Sequence, residues 1–231
     1  MIRNIVLDAG GVMVYPRLGD WNLPFSAAKI LGERALDLHT AKYLLAHRQS
    51  AEWLDEARLV KDVEEERGLR REYIRAMDVR MDWHMTADEI ERLTDDFTDN
   101  IERYGFFDDD APFLKRWKEQ GVGIGLLSDA MPSILSFMDQ YGILRYFDAA
   151  VISTQVGAIK PDPRMYAAIL EALGADAADC LFVDDRAENL LGAEAAGMRA
   201  VQMARSELLP ATYWDGPVVR SLRELKAFIG F

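Results

Sequence analysis

From Phe106 onward, short apolar runs alternate with helical stretches, and this alternation leaves few folds open to the chain. The apolar runs are GIGLLS (123–128), AAVIS (149–153), CLFVDD (180–185) and MRAVQM (198–203). Between them lie PSILSFMDQYGI, PRMYAAILEALG and AENLLGAEAAGM, with SLRELKAFI closing the series. Each of these stretches repeats apolar residues every three or four positions, the helical period. Strands separated by helices form βαβ units and a mainly parallel sheet. A further strand, IVLD (5–8), precedes a loop rich in Pro, Gly and Asp and then a long helical stretch (FSAAKILGERAL, HTAKYLLAHRQSAEWLDEARLV, REYIRAMDVRMDWH). The expected architecture is therefore α/β. It has a Rossmann-like parallel-sheet core flanked by helices, built from 1–15 and 105–231, and an inserted all-helical cap over 16–104. Within the cap, Thr86-Ala-Asp-Glu89 has the pattern of a capping box. It predicts a helix running to about Tyr104 and stopped by Gly105.

Four strand ends carry residues suited to phosphate chemistry: Asp8, Ser128, the pair Asp184-Asp185, and Lys160 soon after AAVIS. In an open parallel sheet, the carboxyl ends of the strands meet in one crevice. Phosphoryl transfer needs an in-line nucleophile and neutralisation of the transferred group. Asp8 suits the nucleophile and would form an aspartyl-phosphate. Asp8, Asp185, Asp184 and the backbone carbonyl of Gly10 offer the hard oxygen ligands that Mg²⁺ prefers. Ser128 and Asp129, with the backbone at Gly10 and Gly11, are the candidate phosphate-binding positions. Lys160 supplies a fixed positive charge. A single Asp at a strand end is more often a turn or cap residue. The ordered set of four strand ends is what points to chemistry.

In their order, these segments resemble the motifs of the haloacid dehalogenase (HAD) superfamily of hydrolases. DAGGV (8–12) is similar to motif one, LLSDA (126–130) to motif two, VGAIKPDPRMY (156–166) to motif three and FVDDRAENLLGAEAAGM (182–198) to motif four. The resemblance implies a helical cap of the C1 type and a catalytic Asp8 assisted by Lys160. It further implies Mg²⁺ as cofactor, and Asn189 as a support for the lysine or the metal shell. Two positions depart from the family pattern. Gly10 stands where most phosphatases of the superfamily carry a second Asp, which protonates the leaving oxygen. Such a group contributes about 10²–10⁴-fold. The departure resembles a DxGGV subset that includes sugar-phosphate phosphatases, whose anomeric leaving oxygen needs less protonation. Asp129 stands where Asn is usual, so its carboxylate is expected to be paired or turned away from the phosphate.

The implied activity is Mg²⁺-dependent hydrolysis of a small phosphorylated metabolite, with sugar phosphates as the candidate class. The alternatives are a 2-haloacid dehalogenase-type hydrolase and a non-catalytic phospho-ligand-binding protein that keeps the fold. Tyr15, Arg17 and Trp21 follow motif one. They are candidate substrate contacts, although an aromatic hinge packing against the cap is the favoured reading. His39, His47 and His84 all lie in the insert and lack further zinc-spaced ligands. The run Asp108–Asp110 is read as a solvated, acidic helix start.

A net charge of −12 disfavours nucleic acid, whose phosphates call for clustered Lys and Arg. No apolar run approaches the roughly 20 residues of a membrane span. The first strand starts close to Met1, which is read as leaving no room for a signal peptide. The lone Cys180, expected in a buried strand, fits a reduced, cytoplasmic setting. The assembly expected is a monomer or homodimer.

Overall fold

A computed structural model describes residues 2–56, 59–107, 110–205 and 212–229. The chain divides into two units, one made of 1–15, 105–130 and 135–231 and the other of 16–104 and 131–134.

The first unit contains a six-stranded sheet in the order β5-β4-β1-β6-β7-β8. Its strands are β1 (Asn4–Leu7), β4 (Gly123–Ser128), β5 (Ala149–Ile152), β6 (Cys180–Asp184), β7 (Arg199–Met203) and β8 (Val218–Val219). Every pairing is parallel. The central strands read as unbroken apolar runs because helices cover both faces of such a sheet. Val6, Leu127 and Phe182 are buried together with Tyr166, Ile169 and Leu190 from α8 (Pro163–Leu173) and α9 (Ala187–Ala195). The register fixes where the strands stop. Leu7 lies opposite Leu126 on one side and Val183 on the other, so Asp8, Ser128 and Asp184 emerge at one end of the sheet. Two short strands, β2 (Val14–Pro16) and β3 (Tyr104–Phe106), form a separate sheet.

The second unit is helical, with α1 (Ala27–Leu31), α2 (Ala41–Glu56), α3 (Val63–Met81) and α4 (Ala87–Thr98). Its core gathers Leu54, Tyr73, Ile74, Met77, Met81, Trp83, Leu93 and Phe97. The capping box at Thr86 and Glu89 forms in full.

Three local expectations need correction. Helix α4 ends at Thr98, short of Tyr104. Asn100 redirects the chain: its side chain donates to Asp96 at 2.6 Å and accepts from the Glu102 N–H, starting a 3₁₀ turn. Gly105 lies in β3, where a Cβ would fall 2.3 Å from the ring of Tyr15, so the glycine makes room for that ring. The stretch FSAAKILGERAL is likewise broken at Gly32, which adopts φ 60° and hands over to a 3₁₀ segment ending at His39. His39 and His47 thus sit on different elements. His47 bonds the Tyr73 hydroxyl and lies 3.1 Å from Asp20.

Candidate active site

Strand β1 ends one residue before Asp8, whose backbone N–H still joins the sheet by donating to the Val183 carbonyl. The side chain therefore stands at the carboxyl end of the central strand and is 8% exposed. Ser128, at the end of β4, is buried, and its hydroxyl is the weakest of the influences that hold the Asp8 carboxyl down against burial. Lys160 arrives from the loop after the short helix α7 (Ser153–Val156). Its ammonium is 2.9 Å from Asp8 Oδ1, 2.6 Å from Asp184 Oδ2 and 3.1 Å from the Leu127 carbonyl. Two of these contacts, to Asp184 and Leu127, are hydrogen bonds, and the contact with Asp8 is an ion pair.

Asp184 is saturated. Oδ1 accepts from the Arg186 N–H at 2.9 Å and from Asn189 Nδ2 at 3.0 Å. Oδ2 accepts from Lys160 and, at 3.1 Å, from the same Asn189 amide. Asn189 is buried on α9, and its carbonyl accepts from the Tyr166 hydroxyl. Asp129 is paired, because its Oδ1 accepts from the Lys160 backbone N–H at 2.9 Å. Its position next to Ser128 accordingly braces the lysine loop.

Asp185 completes the cluster. Asp8, Asp184 and Asp185 each offer a carboxylate oxygen within 4.8 Å of the others, the one such trio among the described residues. Burial, reinforced by the charge of Asp184, pushes Asp8 up to about 6 despite the neighbouring Lys160. Burial, then Asp8 and Asp184, push Asp185 up to about 7. Burial works against a charged Lys160, but Asp184 and Asp8 outweigh it and hold the ammonium above its ordinary range. Three carboxylates against one ammonium leave an excess of two negative charges in a confined space. Asp8 Oδ1 is also buried without an aligned hydrogen bond. Hard oxygen donors, surplus negative charge and an under-satisfied carboxylate atom fit a divalent cation such as Mg²⁺. Gly11 permits this approach. It has φ 72°, and a Cβ there would lie 2.6 Å from Asp185 Oδ2. Gly10 forms an isolated bridge with Val14 and brings no side chain.

The remaining candidates have packing partners of their own. Tyr15 packs its ring on Phe107, with centroids 4.9 Å apart. Arg17 and Trp21 belong to the helical unit. Arg17 Nε donates to the Tyr104 carbonyl at 3.0 Å, and the Trp21 ring is 5.6 Å from that of Tyr104.

The reading of Asp108–Asp110 is corrected where it can be followed. Asp108 and Asp109 lie outside the described residues. Asp110 is buried rather than solvated and pairs with Arg205, whose Nε donates to the Val12 carbonyl at 2.5 Å. This buried pair braces the loop after Asp8 and is invisible in sequence, because its partners are 95 positions apart. Gln202 is a second residue that sequence reasoning misses. It is a buried amide on β7, and its one sequence signal is a polar residue inside the apolar run RAVQM.

Comparison with known proteins shows the family and the fold. A family profile described as haloacid dehalogenase-like hydrolase matches residues 2–197. Phosphatase MT3486 of Mycobacterium tuberculosis (strain CDC 1551 / Oshkosh) is 38% identical over 125 residues, which is 53% of this chain and 55% of that protein. The phosphoserine phosphatase of Thermus thermophilus is 30% identical over 115 residues, 49% of this chain and 46% of its own length. The chain thus spans about half the length of the curated relatives it matches. Among solved structures, an L-2-haloacid dehalogenase from Xanthobacter autotrophicus superposes with a TM-score of 0.69. It is 19% identical, covering 100% of this chain and 99% of that one. A HAD phosphatase from Thermococcus onnurineus gives 0.66 at 19% identity, covering 99% and 98%. At that identity the two structures share the fold.

Proposed function

The chain belongs to the haloacid dehalogenase-like hydrolases, and on that premise we propose that it is a Mg²⁺-dependent phosphatase of a small phosphorylated metabolite. The observation that carries this reading is the Asp8–Asp184–Asp185 cluster around Lys160. A carboxylate that attacks carbon needs no second and third acid beside it. A carboxylate that attacks an anionic phosphoryl group needs positive charge there, and this cluster is built to collect it.

In the proposed reaction an Asp8 oxygen attacks phosphorus in line with the leaving oxygen. The Asp8–phosphorus bond forms as the ester P–O bond breaks, and the leaving oxygen departs with its electron pair and takes a proton from solvent. Water then attacks phosphorus and gives a proton to solvent as the Asp8 oxygen–phosphorus bond breaks, releasing phosphate and restoring the Asp8 carboxylate. Asp8, Asp185 and the Gly10 carbonyl are the proposed cation holders. When bound, Mg²⁺ neutralises charge between the nucleophile and the phosphoryl oxygens. Asp184, with both oxygens already engaged, is assigned to Lys160. It fixes the ammonium so that its charge reaches Asp8 and the phosphoryl group without a conformational search. Ser128 donates to a phosphoryl oxygen, with the backbone at Gly11 and Asp129 beside it. Asn189 orients Asp184. The helical unit, read as a C1-type cap, would exclude water and select the leaving group.

Gly10 points to substrates whose leaving oxygen needs little protonation, and esters at an anomeric sugar carbon meet that demand. The phosphatase names of the relatives above support the same reaction class. A screen of phosphorylated metabolites with Mg²⁺ tests the proposal, with Asp8→Asn as control. Turnover abolished by EDTA, restored by Mg²⁺ and absent in Asp8→Asn is expected. Dehalogenation of a 2-haloacid in EDTA, or activity that survives Asp8→Asn, would overturn it.

A further inference from the structure

We infer that Gln202 is a positioning residue for the cation site, holding the peptide of Asp185 so that its carboxylate stays beside Asp8. The inference rests on the proposed reading of Asp8 and Asp185 as cation holders.

Gln202 is 4% exposed and lies between Val201 and Met203, which are 1% and 0% exposed. Burying an amide there instead of an apolar side chain is unfavourable unless its hydrogen bonds are made. They are made to two carbonyls. Nε2 donates to the Asp185 carbonyl at 3.0 Å and also to that of Thr212. The Thr212 N–H donates to the same Asp185 carbonyl at 3.3 Å. The Thr212 hydroxyl accepts from the Ala187 N–H at the start of α9. The register sets Gln202 opposite Asp184, one residue before the peptide it holds.

That peptide is under electrostatic load. The Asp185 carboxylate points at Gly11 and sits among two like charges, which push it outward when no cation is present. Its anchor on this side is its own backbone carbonyl, gripped by Gln202 and by the Thr212 N–H. Loss of the amide lets the carboxylate relax away from Asp8 and raises the cost of collecting a cation. Partners that orient metal ligands typically change affinity by about 10–100-fold when mutated.

The test is Mn²⁺ binding to the full chain, followed by electron paramagnetic resonance of the free ion. Gln202→Met keeps the length and removes both donors. It should weaken Mn²⁺ about 10-fold or more. Ile169→Val serves as control. It loosens the core of the same unit without touching the amide, and its Kd should match that of the parent. An unchanged Kd in Gln202→Met overturns the inference, whatever its melting temperature, and so does an equal loss in Ile169→Val. If Gln202→Met does not fold, Gln202→Asn, which withdraws the amide by one methylene, decides on the same criterion. Asp185→Asn separates the two levels. If it binds Mn²⁺ like the parent, the cation reading itself fails.

Discussion

Lys160 Nζ lies 2.6 Å from Asp184 Oδ2, and the two side chains are 1% and 0% exposed. Buried ion pairs of this kind are poor sources of stability but costly to break. Lys160→Met would leave Asp8 and Asp184 facing each other without a cation. It should cost about 3–5 kcal/mol of stability in the metal-free protein. It should also lower kcat/KM by about 10²–10³-fold, the range for losing one preorganised charge. Urea unfolding in EDTA and assays with an aryl phosphate check the two arms. A variant as stable and active as the parent removes the lysine from the proposed mechanism.

Proton and cation should compete for the acidic cluster. Asp8 and Asp185 are pushed up to about 6 and about 7 from ordinary values near 3.8. A carboxyl raised in the folded state contributes stability that is full below its unfolded pKa and is lost as pH rises through its folded pKa. The metal-free protein should therefore lose stability between about pH 4 and pH 7 from these groups, while Mg²⁺ offsets the loss where both are ionised. Thermal melts should show a larger Mg²⁺ shift at pH 8 than at pH 5. Asp185→Asn should raise the melting temperature in EDTA at pH 8 and hardly at pH 5. A Mg²⁺ shift independent of pH would contradict the cluster as the binding site.

Restoring an acid at position 10 should help selectively. Gly10→Asp is expected to accelerate alkyl phosphates more than aryl or anomeric ones, up to the roughly 10²–10⁴-fold of a positioned acid–base group. Relative kcat/KM across the three ester types is the measurement. Equal effects on all three would leave Gly10 without an explanation.

Much of the candidate site can be read from the chain because Asp8, Ser128 and Asp184-Asp185 sit at or next to strand ends, while Lys160 follows the end of β5 after one short helix. A parallel sheet gathers those ends, so Asp8, Ser128 and Asp184-Asp185 come together, and the loop after α7 brings Lys160 to Asp8 and Asp184. What escapes the sequence depends on distant pairings. Asp110 reads as solvated in an acidic run, yet it is buried against Arg205 from beyond β7. The different surroundings of Asp184 and Asp185 are equally hidden, since the identical neighbours differ only in which groups the fold brings to each. Helix ends are hard to read where side chains compete for the backbone, as Asn100 does after α4.

The central claim is that Asp8 attacks phosphorus and is freed by water attacking the same atom. Single-turnover hydrolysis of an aryl phosphate in H₂¹⁸O with Mg²⁺, followed by mass spectrometry of both products, tests it directly. The expected result is ¹⁸O in the released phosphate and none in the peptide carrying Asp8. Label appearing in the Asp8 carboxylate would mean that water attacks the side-chain carbon, the chemistry of a carbon-ester intermediate, and would contradict the claim.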